Sequence, residues 1–70
     1  MDPVVKAYRI ARRKAGQCGV DRITELNHRT VEDGIIVHVR TGRGGDLLAG
    51  TVFVPSADPQ SAQFRAPKEN

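Results

Sequence analysis

The sequence predicts one α+β domain, an N-terminal amphipathic helix packed on a small antiparallel sheet of about three strands with a disordered C-terminal tail. Three observations predict it. The apolar stock is mostly β-branched, with eight Val and four Ile against three Leu, two Phe, one Tyr and no Trp, which favours sheet over a helical bundle. The first seventeen residues carry helical periodicity between two end signals. The closing "PSADPQSAQFRAPKEN" has three prolines and few apolar side chains, the composition of a segment without a core of its own. The expected division is a single domain over 1–55 and a flexible tail over 56–70.

"MDPVVKAYRIARRKAGQ" reads as the helix. Asp2 is placed to cap it, Pro3 suits the first helical position, and Gly16 is placed to end it. At 100° per residue, Val4, Tyr8, Ala11 and Ala15 share one face, flanked by Val5 and Ala7. Lys6, Arg9 and Arg13 line the opposite face, and Arg12 borders the apolar side, where its stem can pack while its head stays wet.

"CGVDRITELNHRTVEDG" admits two readings. Val20, Ile23 and Leu26 at spacings of three fit a short helix, whereas Thr24, Thr30 and Val31 ahead of Asp33-Gly34 fit a strand entering a hairpin. The hairpin is preferred, because Asp-Gly between β-type residues is a strong turn signal. A two-residue turn at Asp33-Gly34 sets Glu32 opposite Ile35, Thr30 opposite Val37 and His28 opposite Val39. Leu26, His28, Thr30, Val37 and Val39 then share a face, and Asn27, Arg29, Val31, Ile36, His38 and Arg40 share the other. "GIIVHVRT" and "LLAGTVFV" are the remaining strands.

The glycines of "RTGRGGDLLAGTVFV" raise the possibility of a phosphate-binding loop. A dinucleotide fingerprint needs G-x-G-x-x-G before a helix, but Leu47 stands where the third glycine belongs. Gly45 and Gly50 have P-loop spacing, yet Thr51 occupies the lysine position and a strand follows. Without a helix N-terminus no backbone N–H groups converge on a phosphate. "TGRGGD" is therefore expected to be a hairpin connection with Arg43 at its tip. Gly50, inside an apolar run, marks a bulge or a close backbone approach.

Other chemistry is thin. One cysteine, Cys18, rules out an internal disulfide, and its place after a helix C-terminus opposes thiolate formation, so a structural or surface thiol is expected. His28 and His38 fall on opposite faces of neighbouring strands, so one metal could not take both, and zinc needs three or four ligands. His28 is expected to be partly buried and hydrogen-bonded, His38 to be at the surface. No cofactor or metal is expected, and a small nuclease using either histidine lacks an orienting third group. No apolar run reaches the length of a membrane span. Lys6, Arg9, Arg12, Arg13 and Lys14 interrupt anything resembling a signal peptide, so the cytoplasm is the expected compartment.

Net charge is +3, and its distribution says more than its size. Residues 1–17 hold five bases and one acid, residues 18–43 four of each, and residues 44–70 two bases and three acids. The positive excess belongs to the helix, and a concentrated field attracts anionic partners. No acid lies between Asp2 and Asp21, so the helix bases have no i,i+4 partners. The expected contact set is Lys6, Arg9, Arg12, Arg13 and Lys14, helped by Arg29, Arg40 and Arg43. Its counterpart is a nucleic-acid backbone or the acidic surface of a nucleic-acid-handling complex. Stacking aromatics are missing from this reading, with Tyr8 on the apolar face and Phe53 in a core strand, so phosphate contact without base reading is expected.

The chain is thus expected to be a small non-catalytic binding protein, and its size suits an inhibitor or regulator of phage or mobile-element type. The alternative is a homo-oligomeric accessory protein that assembles through its sheet. A core this light supplies about 3–5 kcal/mol, and exposed sheet edges favour self-association as a homodimer.

Overall fold

A computed structural model describes residues 2–67 of the chain. One helix, α1 (Pro3–Gln17), lies on a four-stranded antiparallel sheet in the order β1 (Ile23–Val31), β2 (Gly34–Thr41), β3 (Leu47–Pro55), β4 (Gln63–Arg65). Each strand pairs with the next in sequence, and one face of the sheet is left without a helix.

The helix begins where its start signals place it. The Asp2 carboxylate accepts from the Val4 N–H at 2.9 Å, and Pro3 opens the first turn. Its end lies one residue beyond Gly16, at Gln17. Cys18 is the C-cap, and Gly19 takes φ +92°, a conformation costly for any residue with a Cβ. The Gly19 N–H donates to Gly16 O at 3.1 Å and the Val20 N–H to Ala15 O at 3.0 Å, the paired bonds of a Schellman motif. Gly16 is therefore an ordinary helical residue, and a Cβ there meets nothing within 4 Å. Gly16→Ala should stabilise the protein by about 0.5–1 kcal/mol, read as a higher urea midpoint at unchanged slope.

The buried face of α1 is turned slightly from the projected one. Ala7, Ile10, Ala11 and Ala15 are buried, Val4 and Tyr8 are half-buried, and Val5 is exposed. Three alanines at intervals of four bring the helix backbone close to the sheet. The β-branched Val37, Val39, Val52 and Val54 fill the space beneath, from the two central strands that lie under the helix.

The β1–β2 hairpin differs from expectation by two residues. Val31 pairs with Gly34, Thr30 with Ile35, Arg29 with Ile36 and His28 with Val37, so the turn is Glu32-Asp33. Gly34 serves in the strand instead, buried against the Val54–Pro55 backbone of β3. Because side chains alternate with period two, a two-residue slip leaves every one on its expected face.

Gly50 shows both features that an isolated strand glycine implies. Val39 pairs with Gly50 but Arg40 pairs with Leu48, so Ala49 is an extra residue bulged from β3. A Cβ on Gly50 would run into the Phe64 ring and the Arg65 carbonyl oxygen of β4. The β2–β3 connection is a hairpin loop containing a 3-10 turn at Arg43–Gly45, with Gly42, Gly44 and Gly45 at positive φ.

The segment over 56–70 is not wholly a disordered tail. A 3-10 turn at Pro59–Ser61 leads into β4, which adds a fourth strand to the expected three, and Ala62 is buried in the core. The Ser56 N–H donates to Asp33 O at 2.9 Å, tying the start of this segment to the first hairpin turn. Phe64, opposite Val52, packs against the core and anchors β4. Residues 68–70 of the expected tail lie outside the described residues.

Candidate anion-binding surfaces

The bases expected to act together lie on two sides of the molecule. Since α1 buries Ala7, Ala11 and Ala15, the helical period turns Lys6, Arg9 and Arg13 away from the sheet, and all three are exposed. Arg12 is exposed beside them, and Lys14 is half-buried in the last turn, where its charge suits the negative end of the helix dipole. From Lys6 to Arg13 the row runs about 10 Å along the axis, or about three base steps of duplex DNA. Arg13 donates from Nη2 to Gln60 Oε1 at 2.9 Å, which ties the row to the turn before β4 without neutralising it.

Arg29 and Arg40 project from the opposite layer. In the observed register Asn27, Arg29, Ile36, His38 and Arg40 occupy the sheet face away from the helix, as the alternation pattern predicts. The sheet stands between these arginines and the helix row, so they do not extend that row as expected. Arg40 is also engaged within the protein, donating from Nε to Asn27 Oδ1 at 3.1 Å and from Nη1 to Gly45 O at 3.4 Å. It braces the β2–β3 loop through these neutral acceptors, which fix its side chain without neutralising its charge. Arg43 is exposed on that loop and joins neither group.

Two residues of the open face were outside the expected set. Phe53 is 38% exposed and sits opposite Ile36, while Arg65 of β4 lies opposite Thr51. With Pro55 and Gln63 they line a cavity of about 480 Å³. Phe53 therefore does not point into the core. The signal for it was present, because Val52 and Val54 share the helix face and the residue between them must point the other way.

The histidines exchange their expected environments. His28 is hydrogen-bonded as expected, its Nδ1 2.8 Å from the Tyr8 hydroxyl, but it is exposed. The two rings meet edge to face with centroids 5.5 Å apart. His38 is half-buried on the open face. β1 is an edge strand, so His28 has a neighbouring strand on one side only, while His38 sits in the interior strand β2. Cys18 is exposed at the helix end. Among the described residues no three of His, Cys, Asp and Glu are grouped so as to hold a metal, and no helix is long and apolar enough to cross a membrane.

Compared with known protein families, curated proteins and solved structures, the chain matches none.

Proposed function

We propose that this protein is a small non-catalytic module that binds nucleic-acid phosphate through the outer face of α1. One observation carries the proposal: Lys6, Arg9 and Arg13 form an exposed row on a helix with no acid in its first turn, on the side away from the sheet, with Arg13 also hydrogen-bonded to Gln60. Phosphates of a duplex are spaced closely enough for three such cations to engage neighbouring groups, and counterion release then drives binding. His28 and His38 lie on opposite faces of the sheet, so the two cannot act together as a paired acid and base. Such a module acts by occupying its partner, as a small inhibitor or regulator does.

The test is fluorescence anisotropy with a labelled duplex of arbitrary sequence, titrated between about 50 and 200 mM salt. Three phosphate contacts give a log–log salt slope of about −3. Replacing Lys6, Arg9 and Arg13 together by Gln should abolish binding at the higher salt, whereas Arg29→Gln should leave it near wild type. Undiminished binding by the triple variant, or none by the wild type at low salt, overturns the proposal. Equal competition by polyglutamate would redirect it to an acidic protein surface.

A further inference from the structure

We infer that the free edge of β1 pairs antiparallel with β1 of a second copy, about a two-fold axis at Asn27. This goes beyond phosphate binding and uses none of the helix bases. The sheet has two edges of different kinds. β4 is three residues long with Pro59 and Pro67 close on either side, and short strands near proline are poor templates for a further strand. β1 is nine residues long and contains no proline, and the helix sits over the central strands. The register slips between Ile23 and Glu25, and from Glu25 to Val31 the outward amides and carbonyls form a regular row open to a further strand.

The sequence of that edge is complementary to itself in one register. A strand presents alternate residues at its free edge, so an antiparallel pairing of identical strands is centred on a residue. Centring on Glu25 or Arg29 sets each charge against its own copy, which is destabilising. Centring on His28 sets Glu25 against Val31, and centring on Leu26 sets Arg29 against Ile23. Centring on Asn27 sets Glu25 against Arg29 of the second copy twice, with Leu26 opposite His28. Glu25, Asn27, His28 and Arg29 are all exposed, with Asn27 Oδ1 accepting from Arg40, His28 Nδ1 bonded to the Tyr8 hydroxyl and Glu25 lying beside Gly45, so the Glu25–Arg29 pair carries the register. The axis is perpendicular to the sheet, giving eight continuous strands with both helices on one side. The two rows of Lys6, Arg9 and Arg13 then face the same way.

Sedimentation velocity across a concentration series tests the pairing, with a doubling of the 7.6 kDa mass as the expected result. Glu25→Arg and Arg29→Glu should each give monomers, and the two together should restore the dimer. Circular dichroism checks that each variant is folded. An independent readout is Asn27→Cys with Cys18→Ser, which should oxidise to a cross-linked dimer, while Arg29→Cys in the same background should not. A wild-type monomer at roughly 1 mM, dimeric single-charge variants, or equal cross-linking at positions 27 and 29 would each overturn the pairing. Because the Lys6, Arg9 and Arg13 triple variant leaves this edge untouched, it should dimerise as wild type does even where phosphate binding is lost.

Discussion

Val37→Asp should leave the protein unfolded at neutral pH, whereas Ile36→Asp, one residue earlier, should leave it folded. Val37 is fully buried in β2, paired with His28 on one side and Val52 on the other, beneath α1. Among the described residues no polar or charged side chain is buried in this core, so an introduced carboxylate finds no partner. An uncompensated buried charge costs several kcal/mol, and the lost valine adds its own burial energy of about 1.5–3 kcal/mol. Together these exceed the roughly 3–5 kcal/mol that so small a core supplies. Val37→Ala should stay folded with about 2 kcal/mol less stability. Ile36 faces the open side of the sheet and is half-buried, so a carboxylate there reaches water. Far-UV circular dichroism and urea titration of the three variants give the comparison. A Val37→Asp protein that melts like wild type would mean that α1 does not cover this face.

That contrast rests on strand alternation, the part of the structure most legible in the sequence. The helix, the strands around 34–41 and 47–55, and the glycine loop between those two carry strong local signals, whereas 23–31 fits a short helix as well as the preferred strand. Asp2 and Pro3 start α1, β-branched residues alternate through β2, and Gly42, Gly44 and Gly45 supply the positive φ that the loop needs. Less legible was whatever depended on a distant partner. Gly16 reads as the helix end, yet the helix runs on through Gln17 and Gly19 takes the positive φ beyond the Cys18 cap. Asp33-Gly34 is a strong turn pair, but Gly34 is held in β2 by the approach of β3, a contact between residues some twenty positions apart. β4 has only Phe64 as an apolar residue, too little for any period to register, and Val52 and Gly50 of β3 provide its seat.

The candidate site divides along the same line. That Lys6, Arg9 and Arg13 share an outward stripe follows from helical period alone. That Arg29 and Arg40 belong to the opposite layer follows only once α1 is known to cover the valine face. Arg40's engagement with Asn27 and Gly45 depends on the tertiary position of the loop. Charge counts along a chain locate cations by segment, whereas a layered fold sorts them by side. Here stability lies between the layers and the basic rows lie outside them, so helix-face charge variants test binding with little effect on folding.

Gly34→Ala should be strongly destabilising, for a steric reason, though less than Val37→Asp. A Cβ at Gly34 would overlap the Val54 carbonyl oxygen and stand 3.0 Å from Pro55 Cα and 3.1 Å from Val54 C. These are backbone atoms of an interior strand, so no side-chain rotation relieves the contact. Either β3 withdraws from the end of β2, straining the Ser56–Asp33 hydrogen bond, or the Glu32-Asp33 turn is rebuilt. Overpacking of this kind costs about 2–3 kcal/mol, much of the available stability, and corresponds to a fall in melting temperature of roughly 10–20 °C. Gly50→Ala meets Phe64 and Arg65 of the short edge strand instead, and β4 can yield at smaller global cost. The order of melting temperatures should therefore be Gly16→Ala above wild type, then Gly50→Ala, then Gly34→Ala. If Gly34→Ala melts with wild type, the glycine is not a strand residue pressed against β3, and the hairpin turns at Asp33-Gly34 after all.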